Sequence, residues 1–143
     1  MEETGRHNQW FALARNEIRN AKILAKYDAE ARVICTHYHK AVEKCLIGYL
    51  VYVTGELPEG RNLIHLCRLA MQYDETFIDV VDDVAVLNSY FLAEDESGPG
   101  GELRIFTAED TVRCFNAMKR VIAKVQLLLI NSEKQEEPVV GIN

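Results

Sequence analysis

An all-α fold, a five-helix antiparallel up-and-down bundle, follows from three features of the sequence. Apolar residues recur at alternating three- and four-residue steps through most of the chain, strand-like alternation is scarce, and glycine and proline gather in a few breaks. Five helices with mostly short connections pack most simply as such a bundle. With 143 residues, 48% of them hydrophobic, the chain holds one domain and one sizeable core. That domain is expected over residues 1–131, followed by a polar, disordered tail at 132–143.

The first helix is expected over 8–26, where Phe11, Ala14, Ile18, Ala21 and Ala25 form one apolar stripe. The second comes almost at once, over 28–54, and would be about 40 Å long at 1.5 Å per residue, the spine of the fold. Its apolar set is Ile34, Tyr38, Ala41, Val42, Cys45, Leu46, Tyr49, Leu50 and Val53, and Gly55, Pro58 and Gly60 end it. A third helix over 62–73 should bury Leu63, Leu66, Cys67 and Ala70. A fourth over 75–91 should bury Phe77, Val81, Val84, Ala85, Leu87 and Phe91, with Asp79, Asp82 and Asp83 facing water. Residues 93–106 read as a long acidic, glycine-rich loop, mobile or functional. Thr107 and Asp110 form a capping box that opens the fifth helix, 107–131, with Val112, Phe115, Met118, Ile122, Val125 and Leu129 inside.

Charge and cysteine usage narrow the function. The net charge of −6 gives no support for sequence-independent duplex binding. Residues 1–73 carry ten basic and eight acidic groups and residues 74–143 six and fourteen, so an anionic ligand belongs against the first half. Cys35, Cys45, Cys67 and Cys114 have no metal-like spacing and read as reduced core thiols. No stretch reads as a signal peptide or a membrane span, which implies a soluble, cytoplasmic protein with no membrane partner. The Glu-x-x-His pairs of a bundle-borne di-iron centre do not occur, so neither a metal nor another cofactor is expected.

Four groups of side chains could carry function. Arg15, Arg19, Lys22 and Lys26 line one side of the first helix and are either a solvated face or an electrostatic surface for RNA or a nucleotide phosphate. Arg61, His65, Arg68 and Gln72 form a polar stripe on the third helix that is either a phosphate contact or simply a solvated face. Ala41, Cys45 and Gly48 give the second helix a small-residue face for close packing or dimerisation; the glycine costs about 1 kcal/mol of helix propensity, so something must require it. Finally, Arg32 precedes His37 and His39 on the same helix. Arg32 and His39 share a face, whereas Arg32 and His37 lie about 140° apart. Glu43 is within helical reach of Lys40 and His39 and is expected to orient one of them.

Trp10, Ala14, Glu17, Ile18 and Ala21 resemble a W-x3-A-x2-D-L-x2-A opening, Ala41-Val42-Glu43-Lys44-Cys45-Leu46 an A-x-E-K-x-L helix, and Leu63-Ile64-His65-Leu66-x2-Leu69 a later H-x-L-type segment. In that order they resemble the HEPN domain family over about residues 8–130. The resemblance implies an all-α bundle, usually a homodimer, that binds nucleotides or RNA and is often paired with a nucleotidyltransferase in a toxin–antitoxin or defence system. Active members are metal-independent ribonucleases with an Arg-x4–6-His motif, whose two residues meet across the dimer to stabilise phosphorane charge and move protons. Here Ile47 and Gly48 replace the family's lysine and alanine after A-x-E-K-x-L, and Ser89-Tyr90-Phe91 stands where an R-Y-P-like element is expected. The Arg-x4–6-His spacing occurs from Arg32 on the second helix and not in the later helix that normally carries it.

The first expectation is therefore a non-catalytic, homodimeric RNA- or nucleotide-binding module with a nucleotidyltransferase partner. Lys44, His65, Arg68 and Arg61 would contact the anion. The alternatives are a ribonuclease toxin using Arg32 with His39 or His37, and a purely structural dimeric bundle.

Overall fold

The computed structural model describes the backbone of residues 2–97 and 105–141 and the side chains of residues 5–91 and 105–133. Among these residues five α-helices make the bundle: α1 Glu2–Lys26, α2 Ala31–Thr54, α3 Leu63–Met71, α4 Val81–Ser97 and α5 Ala108–Gly141. A 3-10 segment, Glu75–Val80, leads into α4, and no strand occurs among the described residues.

Helix α2 is the spine. It packs on α1, α3 and α5, while α4 closes the bundle against α3 and α5. Its buried set contains every expected apolar residue except half-buried Val53 and adds Cys35, Ile47, Gly48 and Val51. All four cysteines are buried.

Local chemistry fixes the helix ends. Asp28 sits in the left-handed region at φ 57°, and the Ala29 amide donates to the Leu24 carbonyl at 3.0 Å, a Schellman end for α1. Gly55, at φ 80°, ends α2 by donating to Val51 O at 2.7 Å. The Asn62 side chain accepts from the Ile64 and His65 amides and starts α3. The Thr107–Asp110 box forms reciprocally: the Thr107 amide donates to Asp110 Oδ2 at 2.8 Å and the Asp110 amide to Thr107 Oγ1 at 3.4 Å.

Helix α3 buries Leu63, Leu66, Cys67 and Ala70, the set its sequence predicts. Elsewhere the structure corrects the expectation. Ala25 lies exposed near the end of α1. The region expected as a single helix over 75–91 begins as a 3-10 turn, with three residues per turn. That shifts the phase of α4: Ala85 is exposed, and Asp83 is buried, accepting from Arg120 Nε at 2.7 Å. The fourth helix also continues through Glu94-Asp95-Glu96 to Ser97, so the connection begins at 98; residues 98–104 of the expected loop lie outside the described residues.

In α5 the core stripe is rotated from its expected position. Val112 is 60% exposed, whereas Cys114, Ala117 and Val121 are buried beside Met118 and Val125. Two small residues, Cys114 and Ala117, give α5 its inner face. The bulkier Phe115, Ile122 and Leu129 sit at its margin. The helix runs to Gly141 rather than ending near 131.

Candidate functional site

The side chains singled out above fall into four places, and α2 carries two of them on opposite flanks. On the α1 flank, His37 and Lys44 are two helical turns apart and project the same way. Glu17 reaches from α1 between them: His37 Nδ1 lies 2.6 Å from Glu17 Oε1, and Lys44 Nζ 3.4 Å from Glu17 Oε2. Glu43 completes the group, 3.8 Å from Lys44 Nζ, so it serves Lys44 rather than the expected Lys40 or His39. Burial alone would raise the Glu17 carboxyl, but the His37 hydrogen bond and the Lys44 charge outweigh it and hold the pKa below 4.5. Lys44 is thus engaged by two carboxylates.

The opposite flank is aromatic. His39 packs its ring against Phe91 with centroids 4.4 Å apart, Phe91 meets Phe106 at 6.2 Å, and the Arg32 guanidinium lies 4.6 Å above the Phe106 ring. Arg32 and His39 therefore join one stack, as their shared helix face implies, and His37 stands apart from both. Burial first, then the charges of Lys40 and Lys44, lower the His39 pKa to about 4. The imidazole is neutral near pH 7 and resists protonation, so it has no proton to supply as an acid. Behind the stack, the Tyr90 hydroxyl donates to Asp110 Oδ1 at 2.6 Å and accepts from Arg113 Nη1 at 3.3 Å, tying α4 to the start of α5.

The third place surrounds α3. Arg61 lies over the Trp10 indole at 5.3 Å, and His65 Nε2 donates to the Glu59 carbonyl at 2.8 Å. Arg68 is exposed at the rim of an otherwise apolar pocket of about 290 Å3 formed with Ile64, Met71, Ile78 and Val81. The fourth is the outer side of α1, where Arg15, Arg19, Lys22 and Lys26 are all exposed. Among the described residues none of these four has a carboxylate partner; Arg19 donates to Asn16 Oδ1 at 3.4 Å.

The small-residue face lies inside the protomer. Ala41, Cys45 and Gly48 are buried, and a Cβ added at Gly48 would stand 2.6 Å from the Phe11 ring. Helix α1 of the same chain occupies this face, and the close approach explains the glycine. Burial pushes the Cys45 thiol up to about 12, which leaves it unreactive. No group of three metal-ligating side chains occurs among the described residues, and no helix there is long and apolar enough to cross a membrane.

Helical angle places the two histidines on different faces but does not reveal their partners. Glu17 is visible in the sequence only as the acidic member of the helix 1 motif. Phe91 reads there as a core residue, and Phe106 as the end of a loop.

Comparison with known proteins agrees with this architecture. The family model described as HEPN domain matches residues 7–128. The crystal structure of TT1696 from Thermus thermophilus is similar in fold, with a TM-score of 0.68 at 22% identity over 85% of this chain and 97% of that one. No curated protein matches the chain. A family match across most of the chain, on a five-helix bundle whose Glu17 and Lys44 motif positions meet in one ion pair, places the protein: it belongs to the HEPN domain family.

Proposed function

We propose that this chain is a non-catalytic RNA- or nucleotide-binding module that works as a homodimer with a nucleotidyltransferase partner in a toxin–antitoxin or defence system. The observation that carries the binding part is the α1 stripe. Arg15, Arg19, Lys22 and Lys26 are exposed, share one side of a helix and lack carboxylate partners among the described residues. Exposed cations without internal partners attract a phosphate backbone. Arg61, His65 and Arg68, on and just before α3, supply further contacts. Lys44 is withdrawn from that role by Glu17 and Glu43.

The His39 imidazole packs tilted against Phe91 and is held neutral, so the Arg32–His39 pair lacks a proton donor near pH 7 and is not expected to cleave RNA. The test is RNA binding and cleavage in EDTA, with labelled structured RNA. The wild-type chain should shift the RNA intact, with log affinity falling against log salt at a slope of about −3 for four single-strand phosphate contacts. Reversing the four α1 charges should abolish the shift. An unchanged shift would overturn the assignment of this surface.

A second reading, the ribonuclease, is favoured by one observation. Glu17 fixes His37 through Nδ1, the arrangement that readies Nε2 for proton transfer. Arg32 and His37 lie on opposite flanks of α2, so such a centre would draw them from two protomers. RNA shortened in EDTA by the wild type and left whole by His37→Ala, with both chains folded, would establish it.

A further inference from the structure

Far along α2 from His37 and His39, the turn after α3 and the stretch of α5 from Leu128 to Ser132 form a pocket of about 320 Å3. Three phenols line it, Tyr49, Tyr52 and Tyr73, with the carboxylate of Asp74 and the polar ends of Asn131 and Ser132. Val53 and Leu128 add an apolar strip. No lysine, arginine or histidine is among the described residues that line it. Outside the wall, the His7 ring stands 5.0 Å from the Tyr52 ring.

Most of these groups are fixed before anything binds. The Tyr49 ring stands edge-on to Phe77 at 4.9 Å, and the Tyr52 hydroxyl lies 2.9 Å from Ser132 Oγ. Asp74 Oδ1 accepts from the Thr76 amide at 2.9 Å, capping the 3-10 segment. The Tyr49 hydroxyl has no hydrogen-bond partner among the described residues, although little of that residue reaches solvent. Burial, then the nearby Asp74 charge and Tyr52, push its pKa up to about 12.

We infer that this pocket binds a small primary alkylammonium ion, its nitrogen held by Asp74 and the tyrosine oxygens and its methylenes lying on Val53 and Leu128. An ammonium has three donors and no acceptor, which matches a wall of carboxylate and phenol oxygens. Tyrosine rings also attract a cation through their faces. A phosphate or carboxylate would meet Asp74 with no compensating cation among the described wall residues.

The test uses the full chain and n-butylammonium chloride, read by NMR of the tyrosine rings. The Tyr49, Tyr52 and Tyr73 signals should shift together and saturate with a dissociation constant of about 1 mM, weakening with salt. Asp74→Asn keeps an oxygen for the Thr76 amide and removes the charge, and it should bind about tenfold more weakly. Tyr73→Leu, at a residue 53% exposed and so tolerated by the fold, should weaken binding several-fold. Shifts that stay linear to about 50 mM, equal affinity in Asp74→Asn, or equal shifts from n-butanol would each overturn the inference.

Discussion

His37 and His39 are two residues apart on one helix, yet they occupy opposite kinds of environment. His37 lies in a seam of charges between α1 and α2, its Nδ1 bound to Glu17 and Lys44 beside it. His39 lies in a cluster of rings between α2, α4 and the segment before α5, with Phe91 tilted against it. A step of two residues turns an α-helix by about 200°, which separates the neighbours completely. An imidazole's chemistry here is set by what the helix turns it toward. The Glu17 carboxylate fixes His37 through Nδ1, and burial among rings keeps His39 uncharged.

The sharpest test of that contrast is pH. The unfolded chain protonates His39 near 6.5, whereas the folded chain resists until about 4. Between those values the unfolded state binds the extra proton, so the stability linked to His39 is complete above pH 6.5 and declines as pH falls toward 4. The loss should reach roughly 3 kcal/mol. Denaturant titrations of wild type and His39→Leu across that range should diverge, the variant losing less on acidification. Parallel curves would break the assignment of His39 to a buried neutral state. Glu17 acts in a different window. Its lowered pKa contributes stability present above 4.5 and lost as pH falls through the folded value.

The next largest effect comes from behind the charge seam. Gly48→Leu would force its side chain into the Phe11 ring, since even a Cβ there stands 2.6 Å away. Overpacking of this kind costs about 2 kcal/mol. The change should lower the unfolding midpoint in denaturant rather than alter subunit assembly selectively. A stable variant whose mass alone changed on size exclusion would assign the face to a second protomer instead.

Replacing each histidine by leucine at pH 7 compares the two flanks directly. His37→Leu removes a partner of a half-buried carboxylate and should cost about 1 kcal/mol, Lys44 still compensating Glu17. His39→Leu exchanges a neutral ring for an apolar side chain among aromatics and should cost less. Equal losses would mean that the seam and the stack do not differ in polarity as drawn. The smallest effect belongs to the α1 stripe. Replacing Arg15, Arg19, Lys22 and Lys26 together by glutamine should change stability by no more than about 0.5 kcal/mol while weakening RNA binding.

Much of this is legible in the sequence where one helix face is plainly apolar or a cap has a fixed spacing. The buried set of α3, the Gly55 stop and the Thr107–Asp110 box are of that kind. The pairing of Arg32 with His39 on one flank follows from helical angle alone. Other features depend on neighbours that no local pattern specifies. Apolar residues are spread so widely around α5 that the pattern alone does not select the Cys114–Ala117 face over the bulkier margin. Asp83 reads as a surface acid until Arg120 is brought beside it, and Lys44 reads as an available cation until Glu17 arrives from another helix. The Tyr49 pocket is assembled from three separated stretches of sequence, each unremarkable alone.

Helix α1 leans chiefly on α2, whereas α2 itself is surrounded by α1, α3 and α5. An outer helix held along one side can detach while the remainder keeps its own packed core. Amide protons of α1 should therefore exchange with deuterium through a sub-global opening of lower free energy than the one releasing the amides of α2. Such an opening would carry the basic stripe away from the body of the protein and uncover Ala41, Cys45 and Gly48 in the same event. The cooperative unit that presents the positive charge would thus be the one whose departure exposes the small-residue groove, making a single unfolding equilibrium govern both surfaces.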